Sequence, residues 1–488
     1  MKRHGIKANF VFNVTGTIVP LIVTFVTIPI YVSHIGAARY GVLSIVWIFL
    51  GYFGFLDLGL SRASANALAK LEHSSQEGRS KILITAFCIN LGLGILGGAM
   101  LYFAGSFLLE HLVVVPAELK LEIETAFPWI SCLLPLALIS GVASAALESS
   151  DRFLAVNILQ VVGSTVGQVL PVTCAVLISP SLAIVIPAAV LSRIFSILLT
   201  LGFVIREEWP MSLRSFDRKR ATTLLSYGGW ISVTNIFAPL IVSLDQLVIG
   251  SVLGVAAVTY YAVPMSLVTR SQIFAAALSR TLFPRMSRLA GDAARSLTQS
   301  AMMTLAYGYG AICAPAIVLI RPFIEFWMGS DFASTAAPVA EILLVGAWIN
   351  GLAFIPFAHL EGQGRPDIMP KFFALELLPF TLVLWLLTTK FGIMGAAYAW
   401  VLRSPVHLIF LLVVVRFPRD RFLLLALPFT IIIAAYIFVH FYRPAPIHAI
   451  VVAAVFGLAS ALSGITFDAK AREFILSLRF PKRSQRVL

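Results

Sequence analysis

Charge is scarce in this chain. Asp, Glu, Lys and Arg make up 12% of its 488 residues, against 59% hydrophobic, whereas an ordinary soluble domain is about a quarter charged. That balance excludes a conventional water-facing surface. Cysteine is scarcer still: Cys88, Cys132, Cys174 and Cys313 all fall in apolar stretches without paired spacing, so neither a disulfide framework nor a metal centre is expected. No GxxxxGK[ST] phosphate cradle occurs, nor HExxH, nor GxSxG. ATP hydrolysis within the chain is therefore not expected. Long polar segments are missing too. Gaps between apolar runs such as 61–81, 110–125 and 206–222 leave no room for a soluble domain.

What the chain has is apolar length. A bilayer core of about 30 Å calls for about 20 apolar residues per helix. Runs at 11–33, 82–109, 126–147, 301–320, 422–442 and 449–467 meet that length without a charge. Admitting one or two internal charges gives an all-α integral membrane protein of fourteen spans. They lie at 8–33, 41–60, 82–109, 126–147, 153–178, 182–205, 223–249, 257–278, 300–320, 339–360, 372–389, 393–415, 422–442 and 447–467. The start, Met1–Lys7 before an apolar run, imitates a signal peptide, but the run is too long and lacks a small-residue cleavage pattern. It is expected to remain as the first span.

The basic residues give the orientation. Of 36 Lys and Arg, 28 fall in every second gap, counting from Lys2, Arg3 and Lys7; five fall in the intervening gaps and three inside spans. Positive residues collect in short cytoplasmic loops, so both termini are expected in the cytoplasm. The net charge of +13 is dispersed over many loops. It fits anionic lipid headgroups as partners and not nucleic acid.

The chain also matches itself at a shift of 218 residues. Ile35-Gly36 falls on Leu253-Gly254, and Gly59-Leu60-Ser61-Arg62-Ala63 on Ala277-Leu278-Ser279-Arg280-Thr281. Six spans per repeat is an even number, so both halves run in the same direction, related by an axis along the membrane normal. The expected organisation is a first lobe at 1–205, a cytoplasmic linker at 206–222, a second lobe at 223–415, and two extra spans with a basic tail at 416–488.

Two lobes of this kind can enclose a central cavity, whose walls would carry polar stripes. On the first span Asn13, Thr17, Pro20, Thr24, Thr27 and Tyr31 step by three or four, as do Ser232, Asn235, Pro239, Ser243 and Gln246 on the seventh. Such spacing puts each set on one helical face. Thr, Ser and Asn also serve as hydrogen-bonding glue between packed helices, and that alternative stays open for each residue. Charges at membrane depth are costly and mark functional candidates. Arg270, ten residues before Arg280, lies about 15 Å from the cytoplasmic end at 1.5 Å per residue, with Ser266 on its face. Arg193 and Arg403 each precede the arginine that closes their span by 13 residues. All three are candidate anion-binding groups, with a structural ion pair as the alternative. Asp245, Glu376 and Asp57 are the candidates for coupling ion movement, Asp245 and Glu376 the better ones. Asp57 and Glu341 lie nearer span ends, where a cap or interfacial role is expected.

The chain carries in order Pro29, Ile35-Gly36, Tyr40-Gly41 and Leu56-Asp57-Leu58-Gly59-Leu60-Ser61-Arg62-Ala63, then Trp327-Met328-Gly329-Ser330-Asp331-Phe332 and Phe391-Gly392-Ile393-Met394-Gly395-Ala396-Ala397. On these motifs it shows a resemblance to the Wzx-type polysaccharide flippases, in the superfamily that also contains multidrug-extrusion transporters and lipid II flippases. The resemblance runs over about 6–415; the final span pair matches nothing in it.

The resemblance implies a transporter and not an enzyme, in the bacterial inner membrane. It implies translocation of an undecaprenyl-diphosphate-linked oligosaccharide from the cytoplasmic to the periplasmic leaflet by alternating access. No cofactor is implied beyond a coupling H⁺ or Na⁺, and the implied protein partners are polysaccharide polymerase and chain-length machinery. Arginine suits the diphosphate, because its charge is permanent and its planar fork matches phosphate oxygens. A multidrug cation antiporter of the same architecture is the competing reading; three intramembrane arginines argue against it, since a cation site should be acidic or aromatic. A membrane glycosyl- or acyltransferase is the other. Its chemistry would need grouped acid–base residues, yet the histidines are scattered, with His359 and Glu361 a local pair at the end of a span.

Overall fold

The computed structural model describes residues 6–53, 57, 60–70, 76–111, 113–150, 153–208, 216–217, 221, 241, 243–418, 422 and 424–467. In hydrocarbon every backbone N–H and C=O must be satisfied within the chain, which leaves helices or closed barrels. The regular elements among the described residues are helices. In chain order they are α1 (Ile6–Phe53), α2 (Leu60–Lys70), α3 (Gln76–His111), α4 (Ala117–Ser149), α5 (Phe153–Leu177), α6 (Leu182–Glu208), α7 (Val255–Ser271), α8 (Ile273–Arg288), α9 (Gly291–Met328), α10 (Ser330–Leu352), α11 (Phe354–Gly362), α12 (Ile368–Val415), α13 (Ala426–Phe441) and α14 (Pro446–Phe467). Nine are apolar and long enough, alone or joined end to end, to cross a bilayer.

Two of the nine contain two spans each. α12 breaks at Gly392, whose φ of 64° and ψ of −142° lie outside the helical region. A Cβ on Gly395 would sit 1.9 Å from the carbonyl oxygen of Leu387; in a straight helix these positions would be about 12 Å apart. The chain therefore folds back here, as expected between spans 11 and 12. α1 breaks at Gly36 (φ 79°, ψ 161°), and the rings of Tyr31 and Tyr40 lie 6.2 Å apart across the break. Gly254, the counterpart of Gly36 at the 218-residue shift, also has a positive φ, of 87°. Glycine is the residue that takes this conformation without steric cost. The seventh span is described only from 241, where it is helical over 243–252.

Two compact units result, Met1–Thr259 and Tyr260–Leu488. The division falls inside α7 because the start of that helix is bound into the first unit: Val255 N–H donates to Val114 O at 3.2 Å, and Thr259 Oγ1 donates to Ala37 O at 2.6 Å. Of the linker at 206–222, residues 209–215, 218–220 and 222 lie outside the described residues. The first unit's core gathers Leu60, Leu68, Leu83, Ala86, Val142 and Ala146 from α2, α3 and α4, with α5 and α6 supplying Leu159 and Val204. One end of it is tied by Arg39, which holds Glu122 through two bonds of 2.6 and 2.9 Å. Glu122 also accepts from Leu182 N–H, at the start of α6, at 2.8 Å.

The second unit is built on α9, which packs against α10, α13 and α14. Small residues permit that approach, as is usual between membrane helices. A Cβ on Gly310 would meet Ser460 Oγ at 2.8 Å, and one on Gly464 would meet Tyr307 at 2.8 Å. Ser460 Oγ donates to Tyr307 O, and Tyr307 Oη to Leu424 O. The final helix pair is thus an integral part of this unit's packing.

Candidate functional site

The first unit contains a cavity of about 790 Å³, lined by α4, α5 and α6 and by Trp47 of α1. That size falls in the range, roughly 300–1,000 Å³, of pockets that enclose small organic ligands. Its wall is polar in a membrane-spanning bundle, and the reason is periodic. Gln160, Ser164 and Gln168 step by four along α5; Ser192, Arg193, Ser196 and Thr200 step by one, three and four along α6; Ser140 and Ser144 step by four on α4. Each set occupies one helical face. Gly163 and Gly167 keep the α5 face open: a Cβ on Gly163 would strike Ser196 Oγ at 2.2 Å, while one on Gly167 would meet nothing within 4 Å.

Arg193 is the deep charge of this cavity. It lies eleven residues into α6, which starts at Leu182, or about 16 Å along a helix that crosses a core of about 30 Å. No ion pair and no hydrogen bond to another described residue engages its guanidinium. Glu148, at the other extreme, is an exposed side chain at the end of α4, on the cavity's rim.

Arg403 sits in a different setting. Its Nε lies 3.3 Å from Glu376 Oε2 across the α12 hairpin, with both side chains at most 9% exposed, and its guanidinium carbon is 5.0 Å from the centre of the Phe380 ring. One turn on, His407 lies with Phe372, their ring centroids 5.7 Å apart. The anion candidate and the coupling candidate of the second unit are therefore partners of each other. Arg270 is half-buried on α7, and Ser266, one turn earlier, donates to Val263 O at 2.7 Å.

The stripe on α1 divides. Thr24 Oγ1 donates to Pro20 O at 2.8 Å, a bond within its own helix. Thr27 is buried and reaches Gln168 Oε1, a long contact of 3.5 Å that links α1 to the cavity wall. Tyr31 is buried beside Tyr40. The side chains of Asn13 and Thr17, and residues Ser232 and Asn235, lie outside what is described. Ser243 and Gln246 are half-buried in the helical segment 243–252, and Asp245, 1% exposed, accepts from Gln246 N–H at 2.8 Å. Asp57 accepts from Ser61 Oγ at 2.7 Å, from Ser61 N–H at 3.3 Å and from Asn90 Nδ2 at 3.3 Å. It caps α2. Glu341 pairs with Arg321 at 3.2 Å, and His359 bonds Thr298 at 2.8 Å instead of grouping with Glu361.

Sequence reasoning found Arg193 but not its surroundings. Gln160, Ser164, Gln168, Ser192 and Ser196 were detectable, since an amide or hydroxyl every third or fourth residue in an apolar span is the same signal read on the first and seventh spans.

A family model for polysaccharide biosynthesis proteins matches residues 35–337, more than half of the chain. A Shigella flexneri protein provisionally named an O-antigen transporter is 25% identical over 405 residues, covering 82% of this chain and 95% of that one. Among solved structures, the lipid II flippase MurJ in an inward closed conformation aligns with a TM-score of 0.69 at 15% identity, over 96% of this chain and 99% of that one. An inward-facing multidrug transporter of the MATE family aligns at 0.65 and 14% identity, over 84% of this chain and 97% of that one. These two likenesses bear on the fold, a multi-pass helical bundle. The resemblance read from the motifs holds at the level of family, and the chain belongs to the polysaccharide biosynthesis protein family.

Proposed function

We propose that this protein flips an undecaprenyl-diphosphate-linked oligosaccharide from the cytoplasmic to the periplasmic leaflet of the bacterial inner membrane, with both of its own termini in the cytoplasm. The observation that carries the reading is the first unit's cavity, with Arg193 as its deep charge. A diphosphate and its sugars cannot cross hydrocarbon unaided, because burying uncompensated charge and unpaired hydroxyls is costly. A chamber lined by amides and hydroxyls replaces the water lost by the sugars, and guanidinium groups replace the water lost by the phosphates. The prenyl tail stays in lipid. Arg193 in the first unit and Arg270 in the second are the anion-binding groups, and alternating access exposes them to each leaflet in turn.

Movement of H⁺ or Na⁺ drives the cycle, since a membrane potential offers about 2.3 kcal/mol per charge per 100 mV. Polysaccharide polymerase and chain-length machinery take up the product. The test is complementation. In cells lacking the chain, wild type restores surface glycan, whereas Arg270→Ala is present in the membrane at normal level and restores none. Full surface glycan with both Arg193→Ala and Arg270→Ala would remove the arginines, and with them the physical basis of the reading.

A further inference from the structure

We propose that Asp57, Ser61 and Asn90 form a binding site for a monovalent cation of the Na⁺ type at the junction of α2, α3 and α4. Asn90 is completely buried, and its carbonyl oxygen Oδ1 has no hydrogen-bond partner. The orientation of that amide is fixed chemically: Nδ2 faces Asp57 Oδ1 at 3.3 Å, and the opposite flip would set two acceptors against each other. The orphaned oxygen belongs to the same amide, two bonds from the nitrogen that touches the carboxylate. Ser64, on the following turn of α2, is also completely buried with Oγ unpartnered.

Among the described residues the carboxylate receives only neutral donors, from Ser61 and Asn90, and no ion pair with a described residue compensates it. A buried acceptor without a partner is costly, and so is a half-buried charge among neutral donors. One hard monovalent cation resolves both, because such ions take oxygen ligands and a single carboxylate balances a single charge.

Capping alone does not explain the arrangement. At the 218-residue shift Asp57 and Ser61 fall on Ala275 and Ser279, and there the serine bonds Phe354 O with no carboxylate nearby in the sequence register. The second unit makes the corresponding helix without the acid. The third wall is α4, where a Cβ on Gly141 would lie 2.5 Å from Ser61 Oγ and 3.9 Å from Asp57 Oδ1. Gly141 is flanked on α4 by Ser140 and Ser144, which line the cavity of Arg193. A cation at Asp57 would therefore press on the helix that forms the cavity wall. Its role as the coupling ion rests on the transport reading; its binding does not.

The experiment uses the full chain in detergent micelles, titrated with NaCl against choline chloride at constant ionic strength, reading thermal unfolding and ²²Na⁺ retention. A ligand that binds the folded state raises its stability in a saturable manner. Saturable, Na⁺-specific stabilisation is expected in wild type, with half-saturation raised at least tenfold in Asp57→Asn. Asn90→Asp keeps an oxygen at the site and is expected to retain the response even where Asn90→Ala fails to fold. Equal responses of wild type to Na⁺ and choline would show that a structural water alone fills the position. That result, or an unchanged Na⁺ response in Asp57→Asn, overturns the proposal and leaves the transport reading standing.

Discussion

Arg193 and Arg403 stand at the same distance from the arginines that close their helices, yet their surroundings are opposite. Arg193 opens onto a cavity of about 790 Å³ walled by amides and hydroxyls. Arg403 is held at 3.3 Å by Glu376 and covered by Phe380. Spacing along one helix fixes how deep a side chain lies; what sits on the neighbouring helix decides whether its charge is available. In the first unit the neighbours of α6 bring Gln160, Gln168 and serines. In the second, the returning half of α12 brings a carboxylate. On the proposed transport reading, one arginine binds the substrate and the other holds two helices together.

Four substitutions sharpen or break that contrast. Arg193→Ala should lower surface glycan the most, by roughly 10- to 100-fold or more, the scale of a lost charge-assisted contact at about 1.4 kcal/mol per tenfold. The protein level should be unchanged in membrane fractions. Arg403→Leu should act on stability: removing one partner of a buried pair costs about 3–5 kcal/mol. The double variant Arg403→Leu with Glu376→Gln should recover most of that loss in thermal unfolding. If Arg403→Leu leaves stability untouched and stops transport, the two arginines do not differ as described. Gly167→Phe should fill the cavity and reduce transport with little change in unfolding temperature, because the space beside Gly167 is open. Gln168→Ala removes one neutral hydrogen-bonding group and the long contact to Thr27, and should weaken transport only a few-fold at about 1 kcal/mol.

Much of the fold was legible because the membrane imposes it. Apolar length sets the spans, and glycines that need positive φ mark the breaks: Gly36, Gly254 and Gly392 sit where the sequence placed turns. The site was legible in part. Arg193 announced itself as a charge in an apolar run, but the pairing of Glu376 with Arg403 depends on rotation and tilt across a hairpin, which periodicity along one helix does not contain. Thr24 shows the same limit, since its hydroxyl bonds its own helix at Pro20 although its spacing matches a cavity stripe. The cap at Asp57 was expected from its place at a span end; the buried orphan at Asn90 was not, because an asparagine in an apolar helix carries no mark of what its amide faces.

The most direct test compares the two arginines by chemistry in water. In a chain whose four native cysteines are replaced, Arg193→Cys and Arg403→Cys are exposed to a membrane-impermeant, positively charged thiol reagent, and surface glycan is then measured. The Arg193→Cys thiol should label rapidly and regain transport as the reagent restores a positive charge, while the Arg403→Cys thiol should resist labelling and regain none. Equal labelling at the two positions, or labelling at 193 without recovery, would contradict the assignment of Arg193 as the anion-binding group of an aqueous chamber.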